Sequence, residues 1–159
     1  MNEPATLLHT ARTLCVALLL LVLGACASGG LRGHAPFVEI NSMRLSGQEL
    51  ELFMGVRNPN AEPILMEHIE FSVQLEDTSL AVYKAASAVS ILAHGTDILR
   101  FQLTASPQGS ALLGELEAGQ QGSLAYTLQG EIRASEKIIM PFERKGRLYA
   151  VPGRPGQFR

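Results

Sequence analysis

The side chains that could do chemistry in this 159-residue chain are few and widely spaced. Four histidines stand at His9, His34, His68 and His94. No two have the i, i+4 spacing that puts two imidazoles on one helical face for a metal, and no Cys/His ligand spacing occurs. There is no Gly-x-Ser-x-Gly elbow to expose a serine nucleophile and no glycine loop of the kind that cradles phosphates. Glu49, Glu51, Glu70 and Glu76 sit within alternating apolar and polar runs. That spacing reads as the solvated face of a sheet rather than an acid/base pair. The sequence therefore assigns no catalytic residue, no metal site and no cofactor, and it predicts a protein that is not an enzyme.

Cys26 is the exception. It follows an unbroken apolar run over residues 14–23 and then Gly24-Ala25, with Arg12 ahead of the run and Glu3 as the only acid there. A weakly basic start, a short apolar middle and small residues at a cut site make a secretory signal, whereas a membrane-spanning helix needs roughly 20 apolar residues. An ordinary cleaved signal or an uncleaved anchor with a chance cysteine would share the first three features. With the cysteine included, Leu23-Gly24-Ala25-Cys26 resembles the lipobox of bacterial lipoproteins. The resemblance implies cleavage between Ala25 and Cys26, a diacylglycerol thioether on Cys26 and acylation of its new amino group. Several acyl chains together hold a domain on a bilayer far more firmly than one. Ala27, rather than an aspartate, follows the cysteine, and by resemblance to enterobacterial sorting this implies the periplasmic face of the outer membrane.

Removing residues 1–25 leaves 134 residues, a size suited to one domain. Glu3 and Arg12 cancel, so the remainder keeps the formal charge of −2. No basic block or aromatic-basic interleaving points to a nucleic-acid partner. Cys15 leaves with the signal and Cys26 carries lipid, so the domain must be stable in an oxidising compartment without a disulfide.

The mature chain divides by composition. Residues 26–36 are small and glycine-rich, a flexible tether, and residues 151–159 are rich in Pro and Gly and read as a flexible tail. Between them, residues 37–150 have a dominant period of two. Leu50, Leu52, Met54 and Val56 alternate with Glu49, Glu51, Phe53 and Gly55; Ile69, Phe71, Val73 and Leu75 alternate with Glu70, Ser72 and Gln74. Residues 99–103 and 124–132 repeat the pattern, each run being a strand with one face on a core and one in water. Shorter candidates lie at 39–45, 79–83, 89–92 and 137–149, the last broken at Pro141. Turn signals separate them, and one helical stretch follows Ser106, with Leu112, Leu113 and Leu116 on one face and Gly119 at its end. Seven or eight short antiparallel strands with one short helix predict an all-β fold, an immunoglobulin or fibronectin type III-like β-sandwich. Phe53 is the large apolar residue on an outward register, either a contact patch or a cover over the sheet edge.

Asn58-Pro59-Asn60 closes the second strand. Proline cannot donate to a ladder and pushes Asn58 toward extended backbone, and asparagine tolerates the left-handed geometry that would suit Asn60 for the reversal. A strand-ending turn accounts for all three residues; a ligand site built on the two amides is the alternative.

The motif has company. It precedes Ile69-Glu70-Phe71-Ser72-Val73-Gln74-Leu75 by about ten residues, and the Leu112-Leu113 helix, Tyr126-Thr127-Leu128-Gln129-Gly130, Pro141-Phe142 and Lys145-Gly146 follow. This order resembles the type 2 late embryogenesis abundant family, also called the water-stress and hypersensitive-response domain, over residues 37–149. The resemblance implies an ordered fibronectin-like sandwich, in keeping with 47% hydrophobic residues. It carries over no catalytic residue, and it implies a link to desiccation or osmotic stress. Two function classes follow. One is a non-catalytic envelope lipoprotein held to the membrane by its lipid anchor. The other is an accessory docking subunit of an envelope lipid or polymer transport assembly, with an envelope protein as partner.

Overall fold

The computed structural model describes residues 33–135 and 138–159. Cys26, Ala25, the signal peptide and most of the tether lie outside the described residues. Eight strands and one helix follow in the order β1 (Phe37–Ser46), β2 (Glu49–Arg57), β3 (Ile64–Leu75), β4 (Thr78–Ile91), β5 (Thr96–Thr104), α1 (Pro107–Glu117), β6 (Leu124–Ser135), β7 (Ile138–Leu148) and β8 (Gln157–Phe158).

Two four-stranded sheets form, one in the order β5-β2-β1-β8 and the other β4-β3-β6-β7. All pairings are antiparallel. The fold is the expected all-β sandwich. Its core is the inward half of each alternating run: Leu50, Leu52, Met54 and Val56 from β2 face Ile69, Phe71, Val73 and Leu75 from β3, all buried. Phe71 and Tyr83 stack with centroids 5.3 Å apart, and Phe101 meets both edge-on, at 5.0 and 4.9 Å, from the other sheet. This aromatic cluster pins the two sheets together on the side where β4 and β5 are the edges.

The turns follow local chemistry. Gly47 takes φ 63° between β1 and β2. Glu76 and Asp77, both at positive φ, form the two-residue loop between β3 and β4 that matches the twist of a hairpin. Ser106 caps α1 by accepting from the Gly109 N–H at 2.9 Å, and its hydroxyl donates to the Ser79 carbonyl at 2.5 Å. Pro107 opens the helix and Gly119, at φ 72°, follows its end. Leu113 and Leu116 are buried and Leu112 packs partly against them. The helix thereby carries the chain from one sheet to the other over the end of the core.

Three segments differ from the sequence reading. The candidates at 79–83 and 89–92 are one strand, β4, whose middle has little β-propensity: Lys84, Ala85 and Ala86 are held by pairing to β3, and Ser87-Ala88 fall at a register shift. Pro141 does not break β7; it pairs opposite Glu131, on an edge strand that needs no N–H on its open side. The segment 151–159, read as a flexible tail, instead lays β8 beside β1, with Met43 opposite Phe158, and Phe158 is buried. Turns at Arg154 and Gly156 return the chain, and Leu45 N–H donates to the Gly156 carbonyl at 2.8 Å.

Candidate functional site

Asn58 is the one buried polar residue among those described, with no exposed surface. It stands just past β2, where the chain must cross to the other sheet. Its Nδ2 donates toward the carbonyls of Glu62 at 2.8 Å, Leu92 at 3.1 Å and Ile91 at 3.3 Å. Its Oδ1 accepts from the backbone N–H of Asn60 at 2.9 Å and from Asn60 Nδ2 at 3.0 Å. Its own N–H donates to the Gly95 carbonyl at 2.9 Å. One amide thus joins the end of β2, the approach to β3 and the end of β4 with its turn toward β5, and gives the buried Ile91 carbonyl a donor.

Asn60 extends the clasp outward. Its Oδ1 accepts from His34 N–H at 2.6 Å, its Nδ2 donates to the His34 carbonyl at 2.9 Å, and its carbonyl accepts from His94 N–H at 3.0 Å. The left-handed geometry expected at Asn60 is absent: among the described residues, the positive-φ non-glycine residues are Glu76, Asp77 and His94. The reversal is made by side-chain amides, with the strained backbone displaced to His94 in the facing turn. Replacing Asn60 by Ala is therefore expected to cost on the order of 1 kcal/mol through lost hydrogen bonds. Asn60→Gly is expected to cost at least as much, because glycine restores no bond and adds chain entropy to the unfolded state. Thermal melts of the two variants check this, and a neutral Asn60→Gly would point to backbone strain instead.

The other candidates are not brought together. His34, His68 and His94 lie in the chain leading to β1, in β3 and in a turn, and no group of three potential metal ligands forms among the described residues. Glu51 reaches Arg44 at 3.1 Å and also contacts Arg100, a cross-strand ion triad over the outer face of β1, β2 and β5. Glu70 pairs with Lys84 at 2.5 Å, and that hydrogen bond holds its carboxyl below the ordinary range despite some opposing desolvation. Glu76 accepts from the Ala125 N–H at 2.6 Å. The carboxylates thus tie strands together on solvated faces. Phe53 is half-buried on a central strand under the Arg44 guanidinium, 6.0 Å from the ring centroid, and so covers the sheet's face rather than its edge.

Two grooves mark the surface. One of about 630 Å³ runs over β3, β4, β6 and β7 past Glu70, Val82, Lys84, Gln129 and Glu143. The other, about 720 Å³, lies beside β1 and β7 between Phe37, Glu39, Arg57, Phe142 and Arg144. Their charged groups are of both signs, and neither groove carries a histidine, cysteine or aspartate.

Two antiparallel four-stranded sheets and one short helix define the all-β sandwich class of domain. The chain belongs to the family described as Late embryogenesis abundant protein, whose model matches residues 54–146, more than half of the chain. The match begins within β2, includes the clasp and ends at Gly146 in β7. A solution structure of an Arabidopsis thaliana protein is similar in fold, with TM-score 0.51 and 14% identity over 76% of this chain and 88% of that one. A crystal structure of an Archaeoglobus fulgidus protein aligns at TM-score 0.46 and 13% identity, covering 72% and 96%. A solution structure described as that of a candidate late embryogenesis abundant (LEA) protein aligns at 0.48 and 13%, covering 95% and 91%. No curated protein matches the sequence.

Proposed function

We propose that the chain is a non-catalytic lipoprotein of the cell envelope, in which acylated Cys26 anchors a late embryogenesis abundant type domain on the periplasmic face of the outer membrane. The observation that carries this is the Leu23-Gly24-Ala25-Cys26 pattern at the end of the apolar run. It is supported by the position of the folded unit, which begins at Gly33, a few residues past the cysteine. Among the described residues no helix is long and apolar enough to cross a membrane. The polar groups of the clasp bond chiefly to one another and to nearby backbone, which supports a structural role for them. The role proposed for the domain is protection of the envelope during desiccation or osmotic stress, in keeping with its family.

The test is direct. Mass spectrometry of the mature protein is expected to find Cys26 as its first residue, carrying diacylglycerol and an amide-linked acyl chain. Cys26→Ser is expected to move the protein wholly out of the membrane fraction without changing its melting temperature. An unmodified mature protein that begins elsewhere would refute the reading.

A further inference from the structure

Six of the eight large apolar side chains that stand exposed among the described residues lie at one end of the sandwich: Phe37, Leu65, Leu92, Ile98, Ile138 and Ile139. The pairing registers place them there. Phe37 opens β1 opposite Arg57 at the end of β2, and Ile98 in β5 faces Gly55. Leu65 lies near the start of β3, Leu92 just past the end of β4, and Ile138 and Ile139 open β7 against the end of β6. The Asn58 amide, bonded to the Ile91 and Leu92 carbonyls, locks the two sheets' ends together. Of the remaining two, Val82 is in the middle of β4 and Tyr149 is at the opposite end. Exposed apolar residues scattered singly need no explanation, but a gathering at one end does.

The same end is where the chain arrives from its N-terminal segment, since His34 is fastened to it by both bonds to Asn60. Gly33 is seven residue steps beyond Cys26. Fully extended they reach about 25 Å, so a lipid on Cys26 would keep this end within that distance of the bilayer. Phe37 lies under the Arg57 guanidinium, 4.4 Å from the ring centroid, an aromatic and cationic pair suited to the depth of lipid headgroups. Glu62, Glu67 and Asp97 are exposed nearby, which opposes deep insertion and any attraction to anionic lipid.

From this the geometry points to a second, non-covalent membrane contact: the clasp end of the sandwich docks on the lipid surface, its apolar side chains entering the headgroup boundary. The inference rests on the lipoprotein reading for the proximity of that surface. It makes the anchor and the domain tip one membrane-binding unit, with the sandwich axis upright and β8 and α1 directed away from the bilayer. The contact is apolar, so added salt does not weaken it.

The chain contains no tryptophan, so a single one reports on its own position. Full-length acylated protein carrying Leu92→Trp or Tyr149→Trp is reconstituted in phosphatidylethanolamine/phosphatidylglycerol vesicles, with and without brominated acyl chains. Leu92→Trp is expected to be quenched by about twofold or more, at low and high salt alike, and Tyr149→Trp to be nearly unaffected. Equal quenching of the two, or none at Leu92→Trp while the protein still floats with the vesicles, overturns the docking and leaves the anchor intact. If Cys26 carries no lipid, the anchor reading fails. The same variants are then added to preformed vesicles, where quenching confined to Leu92→Trp upholds the docking and its absence overturns it.

Discussion

Asn58→Ala is expected to lower the stability of the domain by about 2–3 kcal/mol, as it strips a donor from the buried Ile91 carbonyl and from the part-buried Glu62 and Leu92 carbonyls, and an acceptor from the Asn60 N–H. The loss is larger than for a surface turn residue because Asn58 itself has no exposed surface and its bond to the Ile91 carbonyl is buried. Asn58→Asp separates the two halves of the amide. Its carboxylate keeps an acceptor toward Asn60 but turns a charged oxygen on carbonyls that need a donor, which raises its pKa in the folded state. A raised folded-state pKa means that the folded protein holds the proton more tightly. The defect of Asn58→Asp should therefore shrink as pH falls below that value and be full above it. Urea unfolding of both variants between acid and neutral pH checks the pair. A loss below about 0.5 kcal/mol for Asn58→Ala would reduce the clasp to an ordinary turn.

The second large effect is expected at the other end of the chain. Phe158→Ala should cost about 3–5 kcal/mol, the usual range for emptying a buried phenylalanine site. Phe158 is 1% exposed, opposite Met43 in β1, and Tyr149 and Arg159 exchange backbone hydrogen bonds at 2.8 and 3.0 Å beside it. Removing residues 151–159 should destabilise at least as much, because it also removes the Gly156 carbonyl that accepts from Leu45 N–H and the Gly156 N–H that donates to Glu117. Were the segment a loose tail, both changes would leave the melting temperature within a degree or two, corresponding to less than about 0.5 kcal/mol.

That contrast shows where local sequence stops being informative. Pro152, Gly153, Pro155 and Gly156 read as a flexible tail, because composition does not show that they form turns that bring Phe158 back to a buried place beside β1. β4 makes the same point in reverse. Its Lys84–Ala88 stretch has no pattern of its own, and only the partner registers of β3, from Ile64↔Ile91 to Leu75↔Thr78, make it a strand. Asn60 was read for the wrong property: a residue tolerant of left-handed backbone is indistinguishable, in one sequence, from a residue whose amide is needed.

By itself the sequence determined the sandwich, because alternation with period two leaves each strand one apolar face, and two sheets of such strands can only close face to face. It also determined the helix bounds through Ser106 and Gly119, the strand end at Pro59, and the pattern around Cys26. The tertiary structure decided what those positions do for one another. It buried Asn58 among carbonyls 33 and 34 residues away in sequence, paired Glu51 with arginines from both neighbouring strands, and gathered Phe37, Leu65, Leu92, Ile98, Ile138 and Ile139 at one end. Alternation is a local property of the chain, set by the pleat. Which carbonyl an amide meets, and which exposed side chains become neighbours, depends on strand register and on how the two sheets are joined, and these are fixed only when the core closes.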